Sequence, residues 1–201
     1  MSARRKKSVA AIILAAGDSH RIGSPKALLT IGSQTFLNKL IADYRVLGCQ
    51  PIIAVAGKHF GAIRDSLTDS DVLLLRNPDP DRGAFSSLQL AVQNLPPACD
   101  GFFIHPVDHP AVKLKSLRLL LSAWFGEFQR AMKLSFEGRG GHPILLGKVW
   151  IKRIASSPSS SNLRELLRKY EADLRLVPVT DEAILLNVNC PDDLVKISPH
   201  E

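Results

Sequence analysis

The sequence predicts a single three-layer α/β/α domain built on a mostly parallel β-sheet. Apolar runs without internal charge, VAAIIL from Val9 and PIIAV from Pro51, read as strands buried on both faces. Segments of helical period separate such runs, giving strand, helix, strand, helix, strand within about 70 residues, the alternation of a parallel sheet with helices on both faces. The 201 residues are 45% hydrophobic and 22% charged, which suits one core. Internal repeats are absent, and the only low-complexity piece, Ser156 to Ser161, is too short to link two domains.

The first strand, Val9 to Leu14, runs into Ala15-Ala16-Gly17, where almost no side chain keeps another molecule from the backbone. Arg21 and Lys26 follow, with Gly23 between them. Free N–H groups in a small-residue turn beside cations trap phosphate, whereas the plain alternative is an ordinary strand exit. Neither GxxxxGK[ST] nor GxGxxG occurs.

Gln34 to Gly48 shows a helical stripe of Phe36, Leu37, Leu40, Ile41, Tyr44 and Leu47, with Gly48 as its stop. Pro51 to Val55 is a second strand, His59 to Leu67 a short helix and Val72 to Leu75 a third strand. Right-handed crossovers bring the C-terminal strand ends to one edge, where ligands bind in open α/β sheets. The loop from Asn77 to Gly83 opens there, before a helix from Ala84 to Asn94 with Ser86 and Ser87 in its first turn. Such hydroxyls at a helix N-terminus can donate to a base or phosphate, although turn chemistry alone also accounts for the Asn, Pro, Asp and Gly.

A fourth strand, Gly101 to Val107, delivers Asp108. A carboxylate at the end of a central strand must face a cleft or a cation, because burying it unpaired is costly. Mg²⁺, which takes one or two protein oxygens and completes its shell with water and phosphate, answers both needs; the other reading is an N-cap or turn former. His105, within the apolar run, reads as a core residue. Lys113 to Phe125 is an amphipathic helix. Met132 to Phe136 is a strand leading into Glu137 to Pro143, a flexible polar loop or a plain hairpin connection, ahead of the strand Ile144 to Leu146. Ser161 or Asn162 caps a helix over Leu163 to Tyr170. Leu174 to Val179 and Ala183 to Val188 read as closing strands, and Pro191 opens a last helix with Asp192 and Asp193 in its first turn.

The formal charge is +7, and Arg4, Arg5, Lys6 and Lys7 supply four of those positives ahead of the first strand. The remaining surplus fits an anionic small substrate better than a duplex, and the tail reads as a solvated terminus rather than a nucleic-acid or membrane arm. No apolar run reaches spanning length and the first one is no secretory signal, so neither nucleic acid nor membrane is an expected partner. Cys49, Cys99 and Cys190 are odd in number and far apart, suggesting no disulfide framework or metal site and a reducing cytoplasm.

The run LAAGDSHRIGSPKALL, residues 14 to 29, resembles the signature LAAGxSxRxGxPKxLL of the MobA-like nucleotidyltransferases, closest to their molybdenum cofactor cytidylyltransferase branch. The NPD…G…SSL stretch, PVDHP at Asp108, the Gly-His-Pro at His142 and NVNCPDDL at Asn189 resemble further family motifs in family order. The resemblance spans residues 9 to 195, and implies a Rossmann-like nucleotidyltransferase domain over 9–198 after a basic tail over 1–8. It implies that Leu14, Ala15, Ala16, Gly17, Arg21, Lys26, Asn77, Gly83, Ser86 and Ser87 bind the nucleotide, with Arg21, Lys26 and Asp108 catalytic. Asp108 and Asn189 would hold Mg²⁺, and Arg139 and His142 would lie on the acceptor side. The nucleotide expected is CTP, from Ala15-Ala16 and Pro25, with GTP or another nucleotide as the alternative, since cytidylyltransferase relatives commonly carry Asp at the position of Asn189. The acceptor implied is molybdopterin-like and phosphorylated, with a molybdoenzyme or its chaperone as a further partner.

Two other classes compete. A nicotinamide-dependent oxidoreductase on a doubly wound sheet requires GxGxxG after the first strand and an acid ending the second, where this chain has Ala56-Gly57-Lys58. A non-catalytic carrier of an anionic cofactor would keep the same cleft but release no pyrophosphate.

Overall fold

The computed structural model describes residues 7–17, 23–125 and 127–197. Arg4, Arg5, Lys6 and Arg21 lie outside the described residues.

Seven strands form one sheet: β1 (Val9–Ala15), β4 (Ile52–Ala56), β5 (Leu73–Arg76), β6 (Gly101–Pro106), β7 (Ala131–Phe136), β8 (Arg139–Gly147) and β9 (Leu174–Pro178), in the order β5-β4-β1-β6-β8-β7-β9. All run parallel except β8, which is antiparallel to both β6 and β7. The prediction of a mostly parallel sheet therefore holds. β1 and β4 are buried along nearly their whole length, the consequence of lying between helix layers.

One face carries α1 (Phe36–Val46), α2 (Phe60–Ser66), α4 (Leu114–Trp124) and α7 (Pro191–Ile197), packed on Ala11, Ile13, Ile52 and Phe103. The other carries α3 (Ala84–Gln93), α5 (Val149–Ala155) and α6 (Leu163–Lys169), packed on Ala10, Ile12, Ile53, Phe102 and Ile144. Alternate strand residues thus feed opposite cores. Thr35 caps α1 by accepting from the N–H of Asn38, and Asn162 caps α6 by accepting from Glu165. Gly48, at φ 75°, ends α1 in the left-handed region.

Several elements differ from the sequence expectation. Ala183 to Val188 forms no strand: Glu182–Leu185 is a 3₁₀ turn. Its apolar residues are buried by packing across the sheet rather than joining it, with Ile184 and Val188 inside the α1/α4 core. The stretch from Glu137 to Pro143 is no flexible loop. Only Glu137 and Gly138, both at positive φ, make the turn of a β7–β8 hairpin, and the glycines that follow extend as β8. Gly141 must be glycine because a Cβ there would stand 2.3 Å from the Ile184 carbonyl oxygen. A two-stranded ribbon of β2 (Thr30–Ile31) and β3 (Gln34–Thr35) precedes α1, and α5 buries Trp150 and Ile154, one helical turn apart; neither was anticipated.

Glycine substitution tests the packing from both sides. A Cβ on Gly147 would lie 1.7 Å from the Phe128 carbonyl oxygen, whereas one on Gly61 meets nothing. Gly147→Ala should cost about 3 kcal/mol through forced backbone movement, and Gly61→Ala, in α2, should gain about 0.5 kcal/mol by restricting the unfolded chain. Urea midpoints at constant m-value would show both.

Candidate active site

β1 and β6 are hydrogen-bonded neighbours that end at the same sheet edge, so Ala16 and Gly17 come to stand beside Asp108. A cavity of about 350 Å³ opens there, lined by Leu14, Ala15, Ala16, Gly17, Lys26, Pro80, Gly83, Ala84, Ser87, Pro106, Val107 and Asp108. Gly57, just after β4, makes room for it: a Cβ would meet the Ala16 carbonyl oxygen at 2.7 Å and Pro80 at 3.0 Å.

Lys26 starts a 3₁₀ turn whose Ala27 is buried, which fixes its base. Its Nζ donates to Asp108 Oδ2 at 2.9 Å and to Asn189 Oδ1 at 2.6 Å. Asn189 reaches Asp108 because the Val188 N–H donates to the Asp108 carbonyl. Its backbone is fixed in turn by Asp193, whose Oδ2 accepts from the N–H groups of Asn189 and Cys190. Lys196 and those N–H groups hold the Asp193 carboxyl well below the ordinary carboxylate range. The first-turn acids of α7, read from sequence as helix-dipole partners, thus include the residue that orients Asn189.

Asn77 is buried and acts as a hub. Its Nδ2 donates to Ser86 Oγ and Ser87 Oγ, both at 2.9 Å, and its Oδ1 accepts from the Asp79 N–H. Ser86 Oγ donates to the Gly83 carbonyl at 2.8 Å, so this hydroxyl is consumed internally. Ser87 lines the cavity and its proton points to no acceptor among the described residues. The hub holds the Asn77–Gly83 loop against the start of α3, with Gly83 at φ 86° making the bend.

Three histidines support the turn after Asp108. His105 is fully buried, as a core residue should be; its Nε2 faces the His109 carbonyl at 3.0 Å and its Nδ1 the Tyr44 hydroxyl at 2.8 Å. A carbonyl can only accept, so Nε2 carries a proton; burial disfavours a second proton, leaving Nδ1 to accept from the Tyr44 hydroxyl. His109 packs on His142, ring centroids 4.7 Å apart, and its Nε2 is 3.9 Å from Asp108 Oδ1. Among the described residues the Nδ1 atoms of His109 and His142 are buried without a hydrogen-bond partner. Burial depresses all three rings below their ordinary value, His142 to about 3, with neighbouring His109 and Lys133 adding to its shift and Asp108 opposing it.

Arg139 is exposed at the start of β8 and lines neither this cavity nor its neighbour. It neighbours Gly140, whose open side faces the Lys133 stem, so Arg139 points to the other face from the cavity that His142 and Lys133 line, and the structure does not bring Arg139 and His142 together. Lys133, Arg164 and Arg168, with His142, line a second cavity beside the first site. Sequence reasoning passed over them, although a lysine in the middle of the strand AMKLSF was a signal.

The donor set suits a hard cation. One carboxylate and one amide oxygen from separate segments already converge on a single ammonium, and Mg²⁺ needs few protein oxygens when phosphate and water complete its shell. Among the described residues no group of three or more His, Cys, Asp or Glu forms an all-protein metal cage.

Small-residue backbone, a lysine and a carboxylate gathered at one edge of a mostly parallel sheet define the class as α/β domains that open a ligand cleft at their strand ends. Comparison narrows it: residues 11–174 match the MobA-like NTP transferase domain, and the chain belongs to that family of nucleotidyltransferases. The molybdenum cofactor cytidylyltransferase of Escherichia coli (strain K12) is 27% identical over 185 residues, 92% of either chain. Among solved structures, Rv0371c from Mycobacterium tuberculosis H37Rv superposes with a TM-score of 0.84 at 24% identity, covering 96% of this chain and 98% of that one. A complex of the same mycobacterial protein with manganese gives a TM-score of 0.79 at 22% identity, over 95% and 98%. No helix among the described residues is long and apolar enough to cross a membrane.

The neutral histidines set an acid limit on stability. Unfolded, His142 binds a proton at its ordinary value of 6.5, but folded only near 3, so its contribution is complete above pH 6.5 and is lost progressively as pH falls toward 3. His142→Gln should flatten the decline near pH 6, above the carboxylate range. Urea midpoints of the two proteins across that interval provide the measurement.

Proposed function

We propose that the protein transfers CMP from CTP to the terminal phosphate of a molybdopterin-like acceptor, releasing pyrophosphate, in the cytoplasm. The observation behind this is the Lys26 ammonium set between Asp108 and Asn189 at the mouth of the Ala15–Gly17 backbone. The cytidylyltransferase name of the E. coli relative, and the Ala15-Ala16 and Pro25 pattern, favour cytosine over guanine. A nucleic acid or membrane partner has no role here; a molybdoenzyme or its chaperone is the expected recipient of the product.

The reaction needs alignment and charge neutralisation more than covalent chemistry by the protein. An acceptor phosphate oxygen attacks the α-phosphorus, the bond from that phosphorus to the bridging oxygen of the β-phosphate breaks, and the electron pair leaves with pyrophosphate. No general base is required, since the attacking phosphate is already ionised. Leu14 to Gly17 face the base and phosphates with backbone, and Ser87 donates from the start of α3. Asn77, Gly83 and Ser86 act by shaping that loop. Lys26, with Arg21 from the same loop, moves from its resting partners to the triphosphate and stabilises the departing charge. Asp108 and Asn189, freed of the ammonium, would hold Mg²⁺, which supplies Lewis-acid neutralisation of phosphate oxygens when bound; the manganese complex of the mycobacterial relative supports a divalent ion. His142 is assigned to the acceptor side; Arg139, which lines neither cavity, is carried there by the family resemblance alone.

The primary test is Mg²⁺-dependent pyrophosphate release with each of the four nucleoside triphosphates, with and without molybdopterin. Release with CTP and the acceptor together is expected; a protein that binds CTP and never releases pyrophosphate is a carrier.

Lys26→Ala and Arg21→Ala should each lower kcat by about 10²-fold or more, the usual effect of removing one donor to developing charge, with unfolding curves unchanged. Wild-type turnover in both would remove the loop from the mechanism.

Asp108→Asn should abolish Mg²⁺-dependent activity, and Asn189→Asp should lower the magnesium concentration at half-maximal rate by adding a second carboxylate. An unchanged magnesium midpoint and rate in Asp108→Asn would make Asp108 a turn former only.

A further inference from the structure

β8 is the one reversed strand, so its beginning lies where β1 and β6 end, and His142 comes to the same sheet edge as Asp108. Residues of alternate register on β7 and β8 then build a second cavity on the α3/α5/α6 face. It measures about 540 Å³ and is lined by Lys133, His142, Ile144, Leu163, Arg164, Leu167, Arg168, Glu171 and Leu174. Its volume is in the range that holds an organic ligand.

Its charge is unbalanced. Arg164 and Arg168 are one turn apart on α6, and like charges at that spacing repel. Lys133, directly opposite Ile144 in the ladder, adds a third cation against the single carboxylate of Glu171. None of the three cations forms an ion pair among the described residues, while Arg45, Arg130 and Arg153 elsewhere are each bound to a carboxylate. Lys133 is also deliberately seated. Its stem lies across Gly140, where a Cβ would meet Cε at 2.9 Å and Nζ at 3.1 Å. Burial and the nearby Arg164 both work against its charge, a tension that an anion would relieve. The walls between the cations are apolar, formed by Ile144, Leu163 and Leu167. His142 joins this cavity to the first site, since its ring packs, tilted by 49°, against His109 beside Asp108.

The geometry points to Lys133, Arg164 and Arg168 as the site for a second anionic group of the acceptor, at the end remote from the phosphate that reacts. The acceptor is then a molecule with two acidic ends and an apolar or heteroaromatic body between them, its body lying past His142 along the wall of α6. This rests on the nucleotidyl-transfer reading for the identity of the molecule, but the anion pocket stands on its own residues.

The test compares wild type with the double variant Arg164→Gln/Arg168→Gln and with Lys133→Met, which keeps the packing stem and removes the charge. With molybdopterin as acceptor, both variants should raise the acceptor KM about tenfold or more, with kcat within about twofold and CTP affinity by calorimetry unchanged. An unchanged KM, or a parallel loss of CTP affinity, overturns the proposal. If the wild type does not use molybdopterin at all, the acceptor reading fails separately, and the pocket is then decided by titrating molybdate and inorganic phosphate into wild type and double variant. Saturable binding lost in the variant upholds it, with the stronger oxoanion indicating whether the remote end is metal-oxo or phosphate in kind; equal or absent binding in the two proteins overturns it.

Discussion

A carboxylate at the end of a strand flanked by β1 and β8 cannot be left alone, and the way Asp108 is satisfied organises the rest of the molecule. Its side chain meets Lys26 from the loop after β1, and its carbonyl holds Val188 so that Asn189 falls beside it. Its following residue, His109, is pinned by His105 from within the sheet. Each partner is itself anchored by burial: Ala27 beneath Lys26, Tyr44 behind His105, Val188 in the α1/α4 core. With side chains about one-fifth exposed, the Lys26–Asp108 pair is shielded enough to matter yet remains open to a ligand. Its stabilising value is modest, because such pairs return much of their attraction as desolvation. Its use is placement: the ammonium keeps two oxygens gathered that would otherwise rotate apart.

The first half of the fold was legible because its physics is local. Doubly buried strands must be apolar throughout, and α1 must show a stripe, so apart from the β2–β3 ribbon the strands and α-helices from Val9 to Asn94 could be read within a residue or two at most ends. That Lys26 and Asp108 would face a cleft was legible for a related reason, since polar groups that punctuate apolar strands have to face something. The second half was harder. Ala183 to Val188 has the composition of a strand, but which apolar run joins a sheet and which packs across it is settled by tertiary partners, here Gly141 and the start of α4, whose Lys113 N–H and Ser116 hydroxyl donate to Asp181. The glycines of β8 suggested a loop because glycine weakens strands; close approach by Ile184 and by the Lys133 stem is what requires them. Likewise Ser86 and Ser87 were indistinguishable in sequence, and only the Asn77 hub and the Gly83 carbonyl separate a consumed hydroxyl from an available one.

The one reversed strand of the seven-stranded sheet divides the work between two stretches of chain. Residues before Asp108 supply the small-residue backbone, the lysine and the Asn77 hub, whereas residues after it supply His142, the cationic cavity and the wall of α6. Because β8 is reversed, both contributions reach one edge without lengthening the sheet. On the function proposed, β8 and α6 could change the acceptor side while the residues before Asp108 keep the nucleotide side, with the His109–His142 ring contact as the seam.

The bond from Lys26 to Asn189 joins residues 163 positions apart. Chains are made from the N-terminus and tend to fold in that order, so β1, β4, β5 and β6 can pair while the ribosome is still adding α5. A nascent chain at that stage possesses the lysine, the loop and the carboxylate, yet has no neutral oxygen to complete them and no Asp193 to aim one. On the function proposed above, triphosphate chemistry would be withheld from incomplete molecules by order of synthesis alone, with the docking of the last segment, rather than the formation of the sheet, as the step that brings activity.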